Sequence, residues 1–115
     1  MHPNYADRHD PQTRPVMGRG PVLKINSKQR YATDAEGVAL WARACAAAGV
    51  ASQDFVSNNA MPCGTTIGPI TAARLGIPTV DVGVPLLSMH SAREMSHIGD
   101  LHALSRALEA YWRGA

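Results

Sequence analysis

Aromatic residues are scarce in this chain of 115 residues, which holds one phenylalanine, two tryptophans and three tyrosines. A core built with so few rings must be filled by aliphatic and small side chains. Cysteine is scarce too. Cys45 and Cys63 are too few for a disulfide scaffold, no CxxC or Cys/His array marks a structural zinc site, and both read as buried thiols of a reducing compartment. Only 17% of residues are charged, and a formal net charge of +2 is too weak to argue for nucleic acid or an anionic membrane. So few charges point to a surface partly covered by other protein. No apolar run approaches the ~20 residues that span a bilayer. The first ten residues hold no apolar signal-peptide core, so export is not expected. What remains is the expectation of a single cytoplasmic α/β domain.

The patterns that are present divide the chain into a loop region over residues 1–19 and an α/β core over 20–115. Proline and polar residues without apolar periodicity mark the first part as a loop or a disordered arm. Pro21 to Asn26 reads as a strand, with Lys24 on the face opposite Leu23 and Ile25. Thr33-Asp34-Ala35-Glu36 matches a capping box with Thr33 as cap, opening a helix that runs to Gly49 with Val38, Trp41, Ala42 and Cys45 along one stripe. A short strand is expected over 53–56. Pro69 suits the first turn of a helix that ends at Gly76. Ile77 to Val82 reads as a further strand, with Pro85-Leu86-Leu87 continuing the apolar run. Ala92-Arg93-Glu94 opens a helical pattern, and Ile98, Leu101, Leu104, Ala107, Leu108, Tyr111 and Trp112 recur at helical spacing. The fold class expected is α/β, a partial mixed sheet covered by helices.

Five residues stand out chemically. His90 lies in a loop after a strand, where α/β enzymes place metal ligands, although single histidines there are also commonly structural. Lys24 and Tyr31 could jointly bind a carboxylate, the ammonium supplying charge and the phenol a directed hydrogen bond. Alternatively Lys24 is a snorkelling edge residue. Gly64 and Thr65, in the run Gly64-Thr65-Thr66-Ile67-Gly68-Pro69, offer N–H and hydroxyl groups before a helix, either for an anion or as a local turn and cap. No lysine follows as a Walker loop requires. His2, His9, His97 and His102 show no metal-binding spacing and read as surface residues, while Asp34, Asp54 and Asp81 have local explanations as cap, strand end and strand residue.

Four segments together resemble the C-terminal part of the M18 aspartyl aminopeptidases: Gly20-Pro21-Val22-Leu23-Lys24-Ile25-Asn26, Gln29-Arg30-Tyr31-Ala32-Thr33-Asp34, Cys63-Gly64-Thr65-Thr66-Ile67-Gly68-Pro69-Ile70, and Thr79 to Ser91. His2-Pro3-Asn4-Tyr5-Ala6-Asp7-Arg8-His9-Asp10-Pro11 resembles the loop that follows a metal-binding aspartate in that family. The resemblance implies a zinc exopeptidase using two zinc ions, a peptide substrate with an N-terminal Asp or Glu, and a large homo-oligomer; the weak net charge leads to no expectation of nucleic-acid or membrane partners. It makes His90 a zinc ligand, Lys24 and Tyr31 substrate contacts, and Gly64 and Thr65 part of the same cleft. It also places the family's other zinc ligands and catalytic glutamate upstream of Met1. These 115 residues are therefore expected to lack a full catalytic set, with a non-catalytic acidic-peptide-binding or oligomerisation module as the alternative.

Overall fold

A computed structural model describes residues 3–115. His2, read above as a surface residue, lies outside the described residues. The core is organised around β1 (Val22–Ile25), which pairs in parallel with β2 (Gln53–Val56) and antiparallel with β3 (Val82–Gly83), giving the order β2-β1-β3. The sheet is thus mixed, with β1 at its centre. Period-two alternation sends Leu23 and Ile25 to one face, where α1 (Ala35–Ala48) and α3 (Ile98–Trp112) pack. Leu23, Trp41, Cys45 and Ala107 are buried there, with Val38, Val80, Leu104 and Leu108 against them. Ala44 and Ala107 are almost wholly enclosed, and their small side chains let the two helices approach closely. The chain thus answers its shortage of rings with close backbone packing.

Several boundaries differ from the sequence reading. Asp34 rather than Thr33 caps α1, accepting from the Gly37 N–H at 2.8 Å. Thr33 is engaged elsewhere, its hydroxyl accepting from the Asp81 N–H. Ala42 is exposed, and the buried positions of α1 are Gly37, Trp41, Ala44 and Cys45. Of the strand expected over Ile77–Val82 only Val82 pairs in the sheet, joined by Gly83. Pro78 has no N–H to give a ladder, and that of Asp81 goes to a side chain. Pro85-Leu86-Leu87 does not continue β3 either. Leu86–Leu87 forms β4, which pairs antiparallel with β5 (Met95–Ser96) in a separate two-stranded hairpin. No helix opens at Ala92. The Ser91 hydroxyl accepts from the Arg93 N–H, Glu94 accepts from the His90 N–H, and α3 begins only after its cap, His97.

Helix α2 (Ile67–Leu75) is capped by Thr66, with Pro69 in its first turn. Gly49 and Gly76 end α1 and α2 in the left-handed conformation, as their positions in the sequence imply. The opening segment is tied to the core. It forms a 3-10 helix over Pro3–Arg8, and His9 makes an isolated antiparallel bridge with Ser57 on the outer side of β2. The Asp10 N–H donates to the Val56 carbonyl at 3.0 Å, and Gln53 bonds the backbone of Val16 and Gly20.

A second latch closes the segment before β1. Asp100, 1% exposed in the first turn of α3, accepts the N–H groups of Gly18 and Gly20, each at 2.8 Å. A carboxylate near a helix N-terminus is also favoured by the helix dipole. Replacing Asp100 with alanine leaves the buried Gly20 N–H without its acceptor and is expected to cost about 2–3 kcal/mol of stability, read from the midpoint of a urea titration.

Candidate functional site

The face of the sheet opposite the helices carries the polar and aromatic residues. Lys24 and Phe55 are register partners on β1 and β2 and therefore share that face. Tyr31 stands in the loop after β1 and meets Phe55 edge-on at 6.0 Å between ring centroids. The ring of His9 meets the same Phe55 edge-on at 5.3 Å. Lys24 Nζ lies 5.7 Å from the centre of the Tyr31 ring, within the range of a cation–π contact. The structure thus brings together the two residues that the sequence paired for a carboxylate.

Lys24 is only half-buried, and among the described residues no carboxylate lies within ion-pair distance of its ammonium. Tyr31 is likewise half-buried. Its oxygen accepts from the Cys63 thiol at 3.5 Å, so the phenolic hydrogen remains available to a further acceptor. Burial above all, with the nearby charge of Asp81, pushes the Tyr31 phenol well above its usual range, so it stays a neutral donor at physiological pH. An ammonium and a neutral O–H donor on one face can bind a carboxylate, the first by charge and the second by direction.

The Gly64-Thr65 loop runs beside this pair. The Thr65 hydroxyl donates to the Arg30 carbonyl at 3.0 Å, which ties the loop to the residue before Tyr31. Gly64 and Thr65 are both exposed, and no other heavy atom comes within 4 Å of a Cβ built at Gly64. Their backbone is open to a ligand on that side.

His90 is placed differently. It sits at the tip of the β4–β5 hairpin, exposed, with φ of 66°, and Ser88 two residues earlier has φ of 58°. Left-handed conformations at two such residues cost about 1–2 kcal/mol each, so the turn is shaped against local preference. Its N–H donates to Glu94. Among the described residues no group of three or more His, Cys, Asp and Glu is gathered to hold a metal ion. A zinc site takes at least three protein ligands, so His90 with its immediate surroundings does not fit a resident zinc ion.

Sequence reasoning passed over Phe55, Cys63 and His9 as members of this face, and assigned Asp81 only a strand position. The alternation of β2 offered a signal for Phe55. Nothing local announces the neighbours of Cys63 or His9, which are set by how loops fold back. Cys63 is partly exposed rather than buried, whereas Cys45 is buried and its thiol is pushed up by that burial.

With this geometry in view, the comparisons with known proteins are direct. The profile of the family described as "Aminopeptidase I zinc metalloprotease (M18)" matches residues 1–112. A Streptomyces coelicolor protein named "Probable M18 family aminopeptidase 2" is 60% identical over 111 residues, covering 96% of this chain and 26% of that protein. Among solved structures, prApe1 superposes with a TM-score of 0.92 at 29% identity, over 99% of this chain and 24% of that one. An M18-family aminopeptidase from Thermotoga maritima gives 0.82 at 30% identity, over 96% and 26%. The α/β fold is therefore that of M18 aminopeptidase domains, and the chain belongs to the M18 family of metallo-aminopeptidases. It spans about a quarter of the length of the curated relatives it matches.

His9 provides a pH signature of the site. Burial, with nearby positive charge including Arg14, holds its pKa below the ordinary 6.5, and its Nδ1 is enclosed without a hydrogen-bond partner. The folded state therefore binds fewer protons than the unfolded chain, so stability is full above pH 6.5 and falls as pH drops from there through the folded pKa. Urea midpoints measured between neutral and mildly acidic pH are expected to decline. In His9→Gln that decline should flatten.

Proposed function

We propose that this chain supplies the acidic-residue recognition part of a zinc-dependent aminopeptidase that removes N-terminal aspartate or glutamate from peptides. The observation that carries this reading is the ammonium of half-buried Lys24, without a carboxylate partner among the described residues and held beside the neutral Tyr31 phenol. An ammonium that no protein carboxylate neutralises is open to an incoming carboxylate, and the charged hydrogen bond so formed is among the stronger ones. Lys24 and Tyr31 contact the substrate's acidic group, and the open backbone of Gly64 and Thr65 lines the same cleft.

In this reading His90 contributes one ligand to a two-zinc centre, and the remaining ligands and general base come from outside these 115 residues. The family's description as a zinc metalloprotease supports the metal, and His90, exposed at the tip of its hairpin, is open to groups supplied by other protein. No catalytic residue is assigned within the chain. The two free thiols favour action in the cytoplasm.

The same reading makes the chain a member of a homo-oligomer. The mature Ape1 of S. cerevesiae, 27% identical to this chain with a TM-score of 0.82, is described as a dodecamer. Here Ile67 is 81% exposed, Leu75 67% and Trp112 76%, large apolar side chains that an interface between copies would cover. Sedimentation is expected to show multimers at micromolar concentration, and a monomer there would count against assembly.

Recognition is tested by titrating the chain with a short peptide that begins with aspartate and with its asparagine counterpart. The unaltered chain should prefer aspartate, and Lys24→Ala should weaken aspartate binding by about tenfold, the worth of one charged hydrogen bond. Equal affinities for the two peptides would remove the basis of the proposal. The zinc-loaded chain alone is expected to show no turnover of either peptide.

A further inference from the structure

Two loops without ladders of their own flank the Lys24–Tyr31 pair. One joins β1 to α1 and carries Tyr31, and the other joins β2 to α2 and carries Cys63, Gly64 and Thr65. Asp81, 9% exposed, lies between them. Its Oδ2 accepts the Ala32 N–H at 2.7 Å, one residue after Tyr31. Its Oδ1 accepts the Thr66 hydroxyl at 2.6 Å, one residue after Thr65. Its backbone N–H donates to Thr33 Oγ1 at 3.0 Å, and its carbonyl accepts the Lys24 N–H at 2.9 Å. Gly68 is shaped to this carboxylate, because a Cβ there would stand 2.3 Å from Oδ2.

One residue therefore holds the Lys24 backbone and the immediate neighbours of Tyr31 and Thr65. Its two carboxylate oxygens are engaged by protein donors, and it makes no ion pair with the Lys24 ammonium. A free carboxylate at this position would neutralise Lys24 and compete with an acidic ligand. A carboxylate bound on both oxygens is instead a rigid strut. Charge-assisted hydrogen bonds of this kind are roughly twice as strong as neutral ones.

We infer that Asp81 is the positioning residue of the acidic-group pocket: it touches no ligand, and its carboxylate locks the two loops so that the Tyr31 phenol stays over Lys24 and the Gly64-Thr65 backbone stays beside them. This deepens the recognition role proposed above and rests on it. The Cys63–Tyr31 and Thr65–Arg30 contacts are then consequences of the same lock, since both bridge the loops that Asp81 joins.

Three variants test this: Asp81→Asn, Thr66→Val, which deletes one donor to the carboxylate, and Thr66→Ser, which keeps it. The first measurement is the affinity for the aspartate peptide relative to the asparagine peptide. The second is the rate at which Cys63 reacts with a small thiol reagent in the folded chain, with buried Cys45 as the internal reference. That rate reads the separation of the loops without any ligand. Asp81→Asn and Thr66→Val are each expected to lower the preference for aspartate and to speed the Cys63 reaction, both by about tenfold. Thr66→Ser, which keeps the donor to Asp81 and the α2 cap alike, should match the unaltered chain in both.

Where the unaltered chain prefers aspartate, an unchanged preference in Asp81→Asn overturns the positioning role. An unaltered chain without preference overturns the recognition reading instead, and the Cys63 rates then decide by themselves whether Asp81 joins the loops. If Asp81→Asn does not fold, the Thr66 pair decides, and a Thr66→Val chain indistinguishable from Thr66→Ser overturns the inference.

Discussion

The pairing of β1 on both of its edges is the constraint on which the rest of this structure depends. All four residues of Val22–Ile25 are held in parallel by β2, and Val22 and Leu23 are held antiparallel by β3 as well, so neither edge is free to slip. A slip of one residue would exchange the faces. Leu23 would leave the packed surface of Trp41, Cys45 and Ala107, and Lys24 would enter it. The cost of burying an ammonium among those side chains makes the observed register the only tolerable one. Stability and the placement of the Lys24 ammonium are therefore coupled through a single strand. The same alternation that completes the core presents the cation on the opposite face.

That opposite face is built differently from the core. Its members come from β1, β2, the opening segment and two loops, and they meet through rings and hydrogen bonds rather than interlocking aliphatic groups. Phe55 is the floor on which His9 and Tyr31 rest. Buried carboxylates do the fastening, Asp100 for the segment before β1 and Asp81 for the loops after it. In a chain with so little charge, both are almost enclosed and both are satisfied by backbone or hydroxyl donors. His90 belongs to neither group. It stands exposed at the tip of a separate two-stranded hairpin.

Much of the fold is legible in the residues themselves. Period-two alternation marks β1 and β2, glycine marks the ends of α1 and α2, and helical spacing marks the body of α3. The failures fall where side chains compete for backbone groups. Thr33 and Asp34 are both good caps, and only the arrival of Asp81 from a distant part of the chain assigns Thr33 to another donor. The apolar run from Ile77 to Leu87 looks continuous, yet Pro78 and the side-chain bond of Asp81 limit it to two short strands in different sheets. Helical residues near Ala92 form a turn instead, because Ser91 and Glu94 satisfy N–H groups that a helix would have used.

By itself the sequence determined the fold class, the family and the chemistry available: a cation, a phenol, a glycine-threonine loop and one loop histidine, each carried by its own local pattern. Tertiary structure alone decided which of these meet. Lys24 and Tyr31 are brought together because a loop folds back over a strand face, whereas His90 is carried on the hairpin of a second sheet. The physical reason is range. Propensity and periodicity act over a few residues, whereas the contacts that build the pocket, Ala32 with Asp81 and Tyr31 with Cys63, join positions far apart in the chain and exist only after the sheet has formed.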